Sequence, residues 1–275
     1  MSSAPYEYRE TILKIDQVSK SLSGKLILRD FNLEIRNIVR PGMSQGQVIG
    51  LLGPSGMGKT TLFHVLAGLQ KPDSGTVLIG PKLVPVQRGM VGVVAQNYPL
   101  FMHRTVLGNL VVSGRQAELS PADAKEKALT LLKNFGVEDQ ASKYPAQLSG
   151  GQRQRVAIAQ QFMCSEHFLL MDEPFSGLDL LAKERICNFI SEMAQMDELN
   201  TFVIVTHDIA TAIEVCDTIV LLGRDRDAEG KPILGARVQA SYNLIERNLA
   251  WHDHIVNTPE YYALFQEIRA IFPRL

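Results

Sequence analysis

The 275-residue chain has 21% charged residues and a net charge of −1, so no overall basic field marks it for nucleic acid. Its three cysteines, Cys164, Cys187 and Cys216, form no spaced pair, which excludes a disulfide framework and points to a reducing compartment. The N-terminus lacks the basic-then-apolar signature of a signal peptide and the longest apolar runs are strand length, so the chain reads as cytosolic, reaching any membrane through a partner.

Residues 11–35 alternate loosely (Leu13, Ile15, Val18, then Phe31, Leu33, Ile35), which predicts short antiparallel strands. A Pro/Gly-rich insert follows at 37–46. Residues 48–52 predict an apolar strand, followed by a Gly-rich loop and an amphipathic helix to about Leu69. Residues 76–79 and 91–95 predict two more strands. From 105 to about 146 the pattern turns helical, with Ser120-Pro121-Ala122-Asp123 marking one helix start by a capping hydroxyl, a proline at the first position and an early acid. Strands at 168–171, 202–205 and 218–222 then alternate with helices at about 180–196 and 208–216. Apolar strands alternating with helices predict an α/β fold: a parallel sheet covered on both faces, with an antiparallel β subdomain before it and a helical subdomain inserted at about 97–156. Residues 1–222 form the expected main domain and 223–275 a short extension. In that extension 224–230 reads as a charged turn. Thr258-Pro259-Glu260 predicts a terminal helix whose stripe of Tyr261, Leu264, Phe265, Ile268, Ile271 and Phe272 packs back on the body or on a partner subunit.

The loop after residue 52 reads Gly53-Pro54-Ser55-Gly56-Met57-Gly58-Lys59-Thr60-Thr61. Glycines let backbone N–H groups converge on phosphate oxygens without a Cβ in the way, a lysine reaches the β/γ-phosphates, and a hydroxyl serves Mg²⁺. With a strand before it and a helix after it, the loop is a phosphate loop for a nucleoside triphosphate. Leu169-Leu170-Met171-Asp172-Glu173 carries two carboxylates to the C-terminal end of a buried strand, where α/β sheets bind ligands. Asp172 suits the Mg²⁺ shell, and Glu173 suits the attacking water, because phosphoryl transfer asks mainly for positioning and charge stabilisation. Between the two motifs, Leu148-Ser149-Gly150-Gly151-Gln152 opens a helix striped by Val156, Ala159 and Met163, a second Gly-rich helix start able to meet an anion.

In this order and over roughly residues 11–222, the motifs resemble those of the ATP-binding cassette family, the ATPase subunits of ABC transporters. The resemblance implies a P-loop NTPase core, ATP and Mg²⁺ as cofactors, and a head-to-tail homodimer in which Ser149–Gln152 of one subunit cap the γ-phosphate held by the other. It implies that Gln96 senses the γ-phosphate and Mg²⁺, that Asp179 in Ser176-Gly177-Leu178-Asp179 crosses the dimer interface, and that His207 is a switch contacting the γ-phosphate. Catalysis would then rest on Glu173, His207 and Gln96, and the metal on Thr60, Gln96 and Asp172. Three positions depart from the pattern: Leu22 stands where an aromatic usually stacks on adenine, Gln160 where arginine is common, and the 37–46 insert is long. His252 and His254 beside Trp251 read as solvated surface rather than a metal site.

The resemblance further implies transmembrane permease subunits as partners, a solute-binding protein indirectly, no nucleic acid, and a place on the cytoplasmic face of the cell membrane. Val106-Leu107-Gly108-Asn109-Leu110 looks most like importers of nitrate, sulfonate or taurine, with polar amino-acid importers close behind. The rival is a soluble ATPase of the same family acting on nucleic acid or the ribosome; those carry tandem cassettes, coiled-coil insertions or basic surfaces. An ATPase subunit does not itself encode the solute.

Overall fold

The computed structural model describes residues 6–39, 46–95, 98–165, 167–197, 200–250 and 255–275. Instead of several short strands, the start of the chain forms one long hairpin: β1 (Glu7–Leu22) runs antiparallel to β2 (Lys25–Val39) about a turn at Ser23 and Gly24. The register shifts repeatedly along the pair, and each bulge resets which side chains face inward, so the sequence alternates only loosely. Asn37, Ile38 and Val39, expected to open the insert, continue β2 and are buried; residues 40–45 of that insert lie outside the described residues. β4 (Ser74–Ile79) adds to β1 and β5 (Val84–Pro85) to β4, giving an antiparallel sheet in the order β2-β1-β4-β5.

The second sheet is the parallel core. β3 (Gln47–Leu52) lies between β9 (Thr218–Gly223) and β8 (Thr201–Thr206), with β7 (Phe168–Asp172) and β6 (Gly92–Val94) beyond β8. β10 (Arg237–Asn243) pairs antiparallel with β9 and forms an edge that the sequence reading does not assign. All six residues of β3 and of β8 are buried, as a sheet covered on both faces requires. Ile49, Leu51, Val203 and Val205 pack with α1 (Lys59–Leu66) and the antiparallel sheet, whereas Val48, Leu52, Phe202 and Ile204 pack against helices on the opposite face. α1 stops at Leu66, three residues before the expected Leu69.

Between β6 and β7 the chain inserts α2 (Val106–Gln116), α3 (Pro121–Asn134) and α4 (Gly150–Phe162). Each start has a side-chain cap: Thr105 accepts from the Gly108 amide, Ser120 from Asp123 and Ser149 from Gln152. α5 (Leu180–Ala194) and α6 (Ile209–Val215) follow β7 and β8. α7 (Pro259–Ile271), capped by Thr258, lays Tyr261, Leu264 and Ile268 into the core beside α6. The architecture is the expected one: an α/β fold of parallel core, antiparallel subdomain and inserted helices. Among the described residues no helix is long and apolar enough to cross a membrane.

Candidate functional site

β3 delivers the chain into the Gly-rich loop at the C-terminal edge of the parallel sheet. A Cβ on Gly53 would lie 2.8 Å from the Leu222 carbonyl of β9, so only glycine lets the loop leave β3 in that direction. Gly58, the N-cap of α1, has φ +79°, and a Cβ there would stand 2.7 Å from Ile27 Cγ2. Without a capping side chain, the first amides of α1 stay open toward the loop, where the backbone and helix dipole favour an anion. The Lys59 Nζ donates to the carbonyls of Gly53 (2.7 Å) and Pro54 (3.1 Å), folding the ammonium under Pro54, Ser55, Gly56 and Met57. Burial holds this lysine below its ordinary range, while the charges of Glu173 and Asp172 oppose the shift. Thr60 follows on the exposed side of α1, and Thr61 is buried. Arg224, from the segment after β9, donates through Nη2 to the Gly56 carbonyl at 3.3 Å.

β7 brings the acidic pair to the same edge. Asp172, half-buried, is pushed up by burial and then by the charge of Glu173, with His64 and Lys59 pulling the other way. Glu173 sits at φ +48°, a strained region for a residue with a Cβ, and its amide donates to Val205 O at 2.8 Å. That turn aims its carboxylate at the end of β8, where Oε2 accepts from Thr206 Oγ1 (3.1 Å) and Oε1 pairs with His207 Nδ1 (2.8 Å). His207 is anchored by its successor: Asp208 caps α6 through the Thr211 amide and pairs with Lys183. Burial alone would raise the Asp208 carboxyl, but the Lys183 and Thr211 hydrogen bonds outweigh it and hold it low.

The phosphate loop, Asp172, Glu173 and His207 thus meet at one edge of the sheet. The other expected residues have partners of their own. Ser149 Oγ accepts from the Gln152 amide (3.3 Å) and Gln152 Oε1 from the Ser149 amide (3.0 Å), a reciprocal cap on α4 with Gly150 and Gly151 in its first turn. Asp179 caps α5 by accepting from the Ala182 amide at 2.8 Å. Gln96 lies outside the described residues, as do Trp251, His252 and His254. Leu22 is 40% exposed at the end of β1. Sequence reasoning overlooked two residues. Thr206 was hidden in the apolar run of β8, although a hydroxyl directly before His207 at a strand end is a usable signal. Tyr98, which bridges α4 and the residue after Glu173, carries none.

The donor set fits magnesium: Thr60 and Asp172 offer hard oxygens, and Asp172 is an anion that burial destabilises and a cation would relieve. Among the described residues no cluster of three or more His, Cys, Asp or Glu could enclose a metal, so phosphate and water oxygens would complete its shell.

A family model described as ABC transporter matches residues 37–176. A sulfate/thiosulfate import ATP-binding protein of Shewanella oneidensis is 40% identical over 230 residues, covering 80% of this chain and 62% of that protein. A spermidine/putrescine import ATP-binding protein of Aggregatibacter actinomycetemcomitans is 36% identical over 225 residues, covering 80% of this chain and 58% of that protein. The chain therefore spans less than two thirds of either relative's length. Among solved structures, cbiO1 from Clostridium perfringens, part of the ABC transporter complex cbiONQ, matches with a TM-score of 0.72 and 26% identity over 97% of this chain and 96% of that one. With the phosphate loop, the acidic strand end and the histidine turn already gathered at one edge, these likenesses place the chain in the ABC transporter family.

Proposed function

We propose that this chain is the ATP-hydrolysing subunit of a membrane importer. The observation that carries the reading is the Glu173 carboxylate, held by Thr206 and His207 at the strand end beside the phosphate loop. A carboxylate fixed at both oxygens by neighbouring groups is oriented before substrate arrives, which is what water positioning requires. In this reading 53–61 cradle the phosphates, with Lys59 as the point charge on the β/γ-oxygens. Thr60, Asp172 and Gln96 would hold Mg²⁺, which when bound would neutralise developing phosphate charge. Glu173 accepts a hydrogen bond from the attacking water, and His207 meets the γ-phosphate while steadying Glu173. The capped start of α4 at Ser149–Gln152 and the Asp179 turn serve a second copy, so that two ATP molecules lie in a head-to-tail homodimer.

Transmembrane permease subunits, met by this chain at the cytoplasmic face of the membrane, are the partners, with a solute-binding protein engaged through them and no nucleic acid involved. The names of the relatives support import. They include an oxyanion and a polyamine importer, solutes of opposite charge, so they favour a small solute without singling out the nitrate, sulfonate or taurine branch suggested by Val106–Leu110. The test is phosphate release by the purified chain and by Glu173→Gln. The wild type should turn over ATP, and the variant should bind ATP but release phosphate orders of magnitude more slowly. Equal rates would remove Glu173 from the chemistry. Co-purification of a membrane protein with the tagged chain from native membranes tests the partner.

A further inference from the structure

We infer that Tyr98 is a positioning residue for hydrolysis, joining the loop after β6 and the helix α4 to the acidic turn at Glu173; the inference rests on the ATPase reading above. The Tyr98 hydroxyl donates to the carbonyl of Pro174, the residue after Glu173, at 3.2 Å. It accepts from Gln154 Nε2 at 2.8 Å. Gln154 is 6% exposed and lies in the first turns of α4, two residues beyond the reciprocal Ser149–Gln152 cap. Tyr98 itself stands at φ +46°, its amide bonded to Ala95 O at 3.0 Å, so the backbone accepts a strained conformation that turns the ring inward.

Donor accounting fixes the directions. A phenol has one proton, and a carbonyl can only accept, so the proton goes to Pro174 O and the Gln154 amide supplies the second bond. Burial pushes the phenol up to about 12, so the donor persists across the working pH range. One hydroxyl therefore clamps three segments that are far apart in sequence, and two of them bear the motifs read for nucleotide chemistry. A shift of α4 or of the loop at Tyr98 is passed to the Pro174 carbonyl and hence to the strained Glu173 turn, without contact between Tyr98 and the reacting atoms.

Removing the hydroxyl should slow the chemical step while leaving nucleotide capture alone. The experiment compares wild type, Tyr98→Phe, Gln154→Leu and the double variant by steady-state phosphate release, equilibrium ATP binding and thermal melting. Tyr98→Phe keeps the ring and leaves both partners unpaired. Its kcat should fall about threefold to tenfold, the size expected when the bond that steadies the Glu173 turn through Pro174 is lost, with KM and ATP affinity near wild type and the melting temperature lowered by no more than a few degrees for the unpaired Gln154 amide. Gln154→Leu should fall by a similar factor, and the double variant no further than the worse single, because the two groups act as one unit. Wild-type kcat in both single variants overturns the inference. So does a parallel loss of kcat, ATP affinity and melting temperature, which would mark a general structural role. Should Tyr98→Phe fail to fold, Gln154→Leu alone decides between these outcomes. A wild-type chain without ATP turnover would instead bring down the functional reading, and this inference with it.

Discussion

Asp172 shows how a site built to receive a cation costs the fold. Its carboxyl is raised by burial and by the charge of Glu173. A carboxyl whose folded pKa exceeds its unfolded value stabilises the fold through its protonated form, a contribution present below the unfolded pKa and lost as pH rises through the folded one. Above its unfolded pKa Asp172 therefore weakens the protein without nucleotide. Asp172→Asn should raise the melting temperature near about pH 7 and lose that advantage as pH falls toward the ordinary carboxylate range of about 4. Thermal melts across pH without added nucleotide check this; a variant no more stable than wild type at neutral pH contradicts it. At this scale the sequence reveals residue types more readily than contacts. Lys59, Asp172 and Glu173 stand in motifs whose spacing is local. The meeting of Glu173 with His207 spans 34 positions and depends on β7 and β8 being neighbours, which no spacing rule states.

Among the elements, α7 is one that carries no motif of the site. Leu264 and Ile268 are fully buried, and the helix backs α6, whose cap Asp208 directly follows His207. Ile268→Ala should lower unfolding free energy by about 2–5 kcal/mol, the usual range for truncating a buried aliphatic side chain, as read from a urea transition. An unchanged midpoint would mean that α7 is only loosely docked. The stripe was visible beforehand because six apolar residues recur at helical spacing behind Thr258-Pro259. β3 and β8 were equally plain, since burial on both faces writes an unbroken apolar run. β10 was not: Arg237, Gln239 and Ser241 face solvent and Val238 and Ala240 are only half-buried, so an edge strand looks like a polar loop. The bulged hairpin hid its length in the same way, by breaking the alternation that betrays a strand.

At the scale of the whole molecule, the layers converge on β3. It separates the two apolar cores, and the phosphate loop leaves its end. Yet both of its neighbours come late in the chain: β8 begins at Thr201, β9 at Thr218, and the Val48 amide bonds to Asp217, 169 positions on. During synthesis at about 5–20 residues per second, β3 waits roughly 8–30 s for a partner on either side. The β1–β2 hairpin and the inserted helices have closer partners and can form in that interval. Ribosome-stalled chains of increasing length, treated with brief proteolysis, should be cut within 47–60 until β9 has cleared the exit tunnel, and then become resistant together. Early protection of 47–60 would contradict this order. The nucleotide cradle is thus absent for most of the protein's birth and arrives abruptly, and a ribosome that stops short of β9 releases a chain with every phosphate-binding residue and no place to hold a phosphate.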